Sequence, residues 1–180
     1  MDAAEVAEVL TPRLRLRCWT DADRPAFAAL NADPEVMAHL AGVLDRAGSD
    51  ALMDALRTGW AERGVDLWAV ERRSDGTLLG WAGLHPMPPG TPGAGEWEVG
   101  WRLARSAWGH GYATEAATEA VRVARGLGLP RLWSMTVPAN VRSLAVMRRL
   151  GMVEHGRFAH PRFPEGHRLR DTVAYVLPLA

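Results

Sequence analysis

Lysine is absent from this sequence of 180 residues, and cysteine is nearly so. All 21 basic residues are arginine, which excludes Schiff-base chemistry on lysine and the lysine-containing phosphate loop of P-loop proteins. The only cysteine, Cys18, has no partner for an intrachain disulfide. The arginines are balanced by 21 acidic residues, so we expect neither a nucleic-acid-binding protein nor one that binds anionic membrane surfaces.

Membrane-spanning and metal-binding classes are also disfavoured. The longest uncharged stretch, residues 76–95, holds six glycines and four prolines, and therefore predicts turns and a strand rather than a membrane span. The first ten residues lack a basic segment followed by a hydrophobic one, so we expect no secretory signal and a cytoplasmic location. Because the six histidines form no HxxxH or HExxH pair, we expect no metal site.

The composition, 48% hydrophobic and 23% charged, is that of one globular domain, which we assign to residues 1–180. We find no internal repeat, low-complexity tract or linker. A chain of this length buries roughly 70% of its unfolded surface, so the core needs no disulfide or metal.

The N-terminal half predicts a strand followed by two helices. Residues 11–19 alternate between apolar side chains and arginine, which is the pattern of a half-buried strand. Asp21 and Asp23 provide N-cap chemistry for the first helix, and Ser49 or Asp50 begins the second.

A hairpin and alternating strands and helices follow. Asp75-Gly76 lies between the apolar runs 67–71 and 78–84, which predicts a β-hairpin. The C-terminal half then predicts a strand, a helix, a strand, a helix and two strands, at residues 96–103, 112–125, 132–137, 141–150, 152–158 and 172–177. This order of elements predicts an α/β (α+β) domain with a mixed sheet.

A glycine-containing turn, residues 107–115, joins the strand at 96–103 to the next helix. Such a turn leaves the backbone N–H groups of the first helical turn free, and with the helix dipole they form an anion site suited to a pyrophosphate. A tight turn with no ligand remains an alternative interpretation. A dinucleotide-binding turn is excluded, because Thr114 stands where the third glycine of that motif belongs.

Three segments resemble motifs of the GNAT superfamily of acetyl-CoA-dependent N-acetyltransferases: Glu98-Val99-Gly100-Trp101, residues 108–116, and Asn140-Val141-Arg142-Ser143 followed by Leu150-Gly151-Met152. The resemblance spans about residues 11–177 and is strongest to the branch that acetylates the N-termini of bacterial ribosomal proteins. It implies a mixed, mostly antiparallel sheet of about six or seven strands with about four helices. The sheet would be splayed between strands four and five, at residues 96–103 and 132–137.

The resemblance also implies a set of cofactor-binding residues. Backbone N–H groups of the turn, together with the Thr114 hydroxyl, would bind the pyrophosphate of acetyl-CoA, while the strand around Trp101 and Leu103 would pair with pantetheine. Trp108 departs from the family pattern, which has Gln or Arg there. The turn residues concerned are Gly109, His110, Gly111, Tyr112 and Ala113.

Asn140 and Ser143 match the Asn-x-x-Ser of the family, which implies an asparagine on the pantetheine arm and a serine near the sulfur. A helix N-cap explains the same two residues without any ligand. The family's usual tyrosine acid is replaced here by Met147, so Ser143, or a water that it holds, is the remaining candidate to protonate the leaving thiolate.

Amide formation requires a neutral amine, so a carboxylate or an ordered water must take the proton, and the resemblance makes Glu98 the best candidate. The resemblance places its carboxylate in the acceptor cleft, and Glu96 shares its strand face by alternation. A solvated strand face, with arginine as a partner, is the alternative for both. His160, Arg162 and His167 are candidates to line the acceptor side, with a solvated hairpin as the alternative.

Taken with the resemblance, these residues predict transfer of an acetyl group from acetyl-CoA to a primary amine, of a small molecule or of a peptide or protein N-terminus. We expect no nucleic-acid or membrane partner, no metal, and a monomer or homodimer. Two alternatives remain: a non-catalytic module that binds acyl-CoA, and an interaction domain with no CoA site.

Overall fold

The computed structural model describes residues 6–179, and in that range it has eight strands and four α-helices. The helices are α1 (Arg24–Ala32), α2 (Arg46–Arg63), α3 (Tyr112–Gly126) and α4 (Val141–Arg149). The strands are β1 (Glu8–Leu10), β2 (Leu14–Arg17), β3 (Leu67–Arg72), β4 (Leu78–Pro86), β5 (Trp97–Leu103), β6 (Arg131–Thr136), β7 (Val153–Ala159) and β8 (Asp171–Pro178).

All eight strands form one sheet, in the order β1-β2-β3-β4-β5-β6-β8-β7. Every neighbouring pair is antiparallel except β5 and β6, which are parallel and share a single register pair, Glu98 with Trp133. The two strands therefore splay apart. The predicted mixed, mostly antiparallel sheet with a splay at this point is confirmed, although it has eight strands rather than six or seven.

The additional strand is β1, which pairs antiparallel with β2. It has only three residues, too few for alternation to reveal it. The predicted start of α2 was also wrong. Asp45 caps this helix by accepting a hydrogen bond from the Gly48 N–H at 2.8 Å, whereas Ser49 is buried and accepts one from the Asn31 amide at 3.0 Å.

The two faces of the sheet carry different helices. Glu98 and Arg102 point to one face of β5, and Arg102 donates a hydrogen bond to Asn31 of α1, so α1 packs on that face. Helix α3 lies against β2, β4 and β5 with its buried alanines, and without extensive contact to α1 within residues 6–179, so it covers the other face. We call these the α1 face and the α3 face. Among the helices in the described range, none has the length and hydrophobicity needed to cross a bilayer.

Candidate active site

The turn between β5 and α3 presents an open row of backbone donors. The N–H groups of residues 109–114 have no hydrogen-bond partner within residues 6–179. Gly109 and Gly111 have φ angles of +79° and +80°, a left-handed conformation that glycine adopts without strain. A Cβ atom added to Gly109 would meet no atom within 4 Å, so space is open beside this glycine. The predicted anion site thus has free donors at a helix N-terminus.

The turn is anchored from the segment just before β2 by contacts that the sequence did not reveal. The Arg13 side chain lies 2.6 Å from a Glu115 carboxylate oxygen and donates to the His110 carbonyl oxygen at 2.9 Å. Thr11 donates to the other oxygen of Glu115 at 2.5 Å. Although burial opposes ionisation, the hydrogen bonds from Thr11 and Arg13 lower the pKa of Glu115. The ionised Glu115 carboxylate therefore links the turn to Thr11 and Arg13.

Trp108, the residue that departs from the family pattern, is also fixed in place. Its indole N–H donates to the Leu103 carbonyl oxygen at 2.8 Å, and the Arg142 guanidinium lies 4.3 Å from the centre of its ring. Such a cation–π contact holds the guanidinium beside the turn. The Arg142 guanidinium of α4 therefore lies beside the turn, next to the Trp108 that replaces the Gln or Arg of the family pattern.

Asn140 and Ser143 lie together at the start of α4. The Asn140 side-chain oxygen accepts a hydrogen bond from the Ser143 N–H at 3.3 Å, and its amide donates to the Thr136 hydroxyl at 3.0 Å. The N-cap interpretation is therefore confirmed, whereas a pantetheine contact stays a prediction. The Ser143 hydroxyl has no partner within residues 6–179, and Met147 is buried in the core.

Trp101 and Leu103 point to the α3 face, opposite to Glu98. The edge of β5 that faces β6 has no register partner in β6 beyond Glu98. The splay therefore exposes a strand edge beside Trp101 and Leu103, as the predicted pairing with an extended ligand requires.

Glu98 lies at the point where the strands diverge, on the α1 face. Within residues 6–179 its carboxylate has no hydrogen-bond partner, and its register partner on β4 is His85. Burial raises the pKa of Glu98 to about 7, and the neighbouring His85 offsets this only in part. Glu98 is therefore a carboxylate that exchanges protons near neutral pH.

His85 is held by a buried acid, and the sequence analysis missed both residues. The Nδ1 atom of His85 lies 2.9 Å from the Asp66 carboxylate, which is fully buried and also binds Arg63 and the Leu67 N–H. Asp66 interrupts the apolar segment before β3, and an acidic residue at such a position could have been recognised as a candidate buried acid. His85 lies opposite Glu98 because of the β4–β5 register, which the sequence pattern does not specify.

Glu96 shares the α1 face, as predicted, but its carboxylate is engaged. The Trp133 indole N–H donates to it at 3.0 Å, and the Arg131 guanidinium lies 3.2 Å away. Glu96 therefore ties the loop before β5 to β6, and its contact with Arg131 agrees with the alternative interpretation of a solvated strand face paired to arginine.

Arg102 carries a positive charge that no carboxylate balances within residues 6–179. Its guanidinium contacts Asn31 and lies 5.0 Å from the centre of the Trp81 ring, and burial lowers the pKa of Arg102 to about 10. The sequence analysis did not single it out.

A cleft of about 520 Å³ opens on the α1 face, and its lining residues do not include Glu98, His85 or Arg102. His160 and Arg162 line it, and their predicted place on the acceptor side stays a prediction. His167 does not line the cleft and instead stacks on Phe163, with ring centres 4.6 Å apart. In the part of the chain that the structure describes, no three His, Cys, Asp or Glu side chains are grouped so as to hold a metal ion.

We expect the raised pKa of Glu98 to reduce stability above neutral pH. Its pKa is higher in the folded than in the unfolded chain, so the folded state binds more protons between about pH 4.5 and 7, and stability falls as pH rises through this range. Glu98→Gln should therefore raise the free energy of unfolding at pH 8, by at most ~3 kcal/mol, with the gain vanishing toward pH 4.

Urea unfolding of both proteins at pH 4, 6 and 8 measures this difference. Glu165→Gln, in an exposed loop, controls for the loss of one carboxylate. A pH-independent difference between Glu98→Gln and the wild type would show that Glu98 keeps an ordinary pKa.

Comparison with known proteins is consistent with this geometry. A family model described as "Acetyltransferase (GNAT) domain" matches residues 13–153. The chain is 31% identical over 149 residues to the uncharacterized protein YkkB of Bacillus subtilis (strain 168), an alignment that covers 81% of this chain and 84% of YkkB.

A second relative and a solved structure extend the comparison. The chain is 31% identical over 150 residues to the FsC-acetyl coenzyme A-N(2)-transacetylase of Aspergillus fumigatus, covering 79% of this chain but 63% of that protein. The crystal structure of an acetyltransferase (GNAT family) from Bacillus anthracis superposes with a TM-score of 0.80 at 22% identity, covering 96% of this chain and 98% of the other.

Proposed function

Because the chain belongs to the GNAT acetyltransferase family, we propose that it transfers an acetyl group from acetyl-CoA to a primary amine by direct attack of the amine. The acceptor would be a small molecule or a peptide or protein N-terminus. The observation that carries the proposal is the row of free N–H groups at residues 109–114, beside the splay between β5 and β6. A cytoplasmic location, one domain over residues 1–180 and a monomer or homodimer stay predictions.

Acetyl-CoA would supply the activated acetyl group, and the residues present fit its polar and extended parts. The free N–H groups and the Thr114 hydroxyl would bind the pyrophosphate, since a helix N-terminus favours negative charge. The open edge of β5 would pair with pantetheine. Asn140 and Ser143 lie on α4, the helix whose Arg142 contacts the turn.

Glu98 would take the proton that the attacking amine must lose. A free alkyl amine has a pKa of about 10 and an α-amino group of about 8, so a base near neutrality is effective. Glu98, with its pKa of about 7, accepts a proton and returns it to solvent in the same pH range. His85 would stabilise the ionised form of Glu98, and Asp66 would hold its ring in place.

Ser143 would assist the leaving thiolate, because Met147 offers no proton. We expect Ser143→Ala to lower turnover about tenfold and to change acetyl-CoA affinity less than about twofold. Steady-state kinetics and calorimetry measure the two quantities. Ser74→Ala, in the exposed β3–β4 turn, is the matched control. If the Ser143→Ala enzyme keeps wild-type turnover, the leaving thiolate is protonated by water without help from Ser143.

Titration with acetyl-CoA by calorimetry tests the cofactor site directly. We expect saturable one-to-one binding and a rise in melting temperature that grows with ligand concentration. Absence of both heat and stabilisation at high ligand would reject the acetyltransferase and the acyl-CoA-binding module together. It would leave the turn as a purely structural element.

A further inference from the structure

The cleft on the α1 face lies on the same side of the sheet as Glu98, further along β6. The register pair of Glu98 with Trp133, and the contact of Trp133 with Glu96, place the Trp133 side chain on the α1 face. Met135 is two residues further along β6, so it shares that face and lies about 7 Å beyond Trp133. Met135 and the adjacent Thr136 line the cleft. A ligand in the cleft can therefore extend toward Glu98.

The cleft also adjoins the helix that carries Asn140 and Ser143. The Thr136 hydroxyl, which lines the cleft, accepts the hydrogen bond of the Asn140 amide at 3.0 Å. The cleft thus shares a wall with the region to which the proposed function assigns the reacting end of acetyl-CoA. A volume of about 520 Å³ is within the range of small-molecule sites.

The side chains that line the cleft include no aspartate or glutamate. Most of them are apolar: Leu40, Ala41, Pro88, Pro89, Met135, Val137, Pro161, Phe163 and Leu169. A second ammonium group on a ligand would have no carboxylate partner in the cleft, which makes its burial costly. The absence of acidic side chains from the cleft lining therefore disfavours polyamines and aminoglycosides as acceptors.

Arg162 is the one permanently charged side chain among the residues that line the cleft. It is exposed, and within residues 6–179 its guanidinium makes no ion pair or hydrogen bond. Burial and a neighbouring arginine lower the pKa values of His39 and His160, so both rings are neutral near pH 7. Among the residues that line the cleft, the charge without a partner is therefore the positive charge of Arg162.

The wall around Arg162 is held in a defined position. Arg168 donates to the carbonyl oxygens of Ala38 and Leu40, which ties the β7–β8 loop to the α1–α2 connection. Arg170 donates to the Phe163 carbonyl oxygen at 2.6 Å. The Arg168 contacts join two segments that line the cleft, and the Arg170 contact holds the β7–β8 loop itself, so the cleft is formed before a ligand binds.

We propose that the acceptor bound in this cleft is a primary amine joined to an apolar body and a carboxylate, with Arg162 binding the carboxylate. This rests on the proposed function, since it names the acceptor class of that same reaction. A guanidinium is suited to carboxylates because it donates two parallel hydrogen bonds.

The test compares matched acceptors that differ in the carboxylate. Acetylation rates are measured for L-phenylalanine against L-phenylalaninamide, for ε-aminocaproate against its amide, and for putrescine. We expect the carboxylate form to have the higher kcat/KM in at least one pair, by about tenfold, and putrescine to be the poorest acceptor. Arg162→Glu should abolish that preference.

Arg125→Glu, at the exposed end of α3 on the other face, is the matched charge reversal and should leave the preference unchanged. A best rate with putrescine, or a carboxylate preference that survives Arg162→Glu, would overturn the acceptor class while leaving acetyl transfer intact. Acetylation of none of the five amines would also overturn it. Failure of acetyl-CoA to bind, or failure of every amine in a wider acceptor panel, would reject the proposed function as well.

Discussion

Replacing Ala113 with glutamate is expected to weaken acetyl-CoA binding at least ~100-fold while the protein remains folded. Ala113 is the second residue of α3, in the middle of the row of free N–H groups at residues 109–114. A carboxylate there would compete for the same donors and repel a pyrophosphate. The helix itself tolerates the change, because an acidic side chain in the first turn interacts favourably with the helix dipole.

Calorimetry with acetyl-CoA, and thermal unfolding without ligand, separate the two effects. Thr118→Glu is the matched control, since it adds the same charge to an exposed position of α3 beyond the first turn. It should bind acetyl-CoA within about threefold of the wild type. Wild-type affinity in a folded Ala113→Glu protein would show that the pyrophosphate lies elsewhere.

Replacing Glu98 with glutamine is expected to lower kcat by ~100-fold or more, because a general base contributes about 10²–10⁴ to the rate. The wild-type rate should rise with pH through about 7, as the carboxylate ionises, and then level off. Glutamine keeps the size of the side chain but cannot accept the proton, so the remaining rate should lack this dependence.

Glu96→Gln is the control for the pH profile, because it lies on the same strand face and its amide can still bind Trp133. Its kcat should follow the wild-type dependence on pH. A Glu98→Gln enzyme that retains both the rate and the pH profile of the wild type would leave catalysis to water and to positioning of the substrates.

The parts of the fold that follow from local chemistry were predictable. Alternation, the Asp-Gly hairpin signal and short apolar runs together revealed seven of the eight strands, and Asn140 caps α4 as predicted. The errors arose where local signals were weak or ambiguous. Ser49 is an acceptable N-cap residue, yet it lies inside α2 because Asp45 caps the helix first. β1 has only three residues and is defined by its pairing with β2.

The parts of the site that lie within one short segment could be predicted from the sequence. The parts formed by contacts between distant segments could not. The two glycines of the turn before α3 lie only two positions apart in the sequence. By contrast, Asp66 and His85 are 19 residues apart, and the contact of Arg13 with Glu115 spans 102 residues. Such contacts depend on strand register and helix packing, which periodicity alone does not specify.

The central claim is that this site moves an acetyl group from acetyl-CoA to an amine. It is tested most directly by incubating the protein with acetyl-CoA and a panel of amino acids, polyamines, aminoglycosides and N-terminal peptides. Thiol release is followed, and products are identified by mass spectrometry. We predict at least one amine that gains one acetyl group for each thiol released, above the rate of hydrolysis, with the product diminished in Glu98→Gln. Binding of acetyl-CoA with no acetylated amine across the panel would contradict the claim and identify a non-catalytic acyl-CoA-binding module.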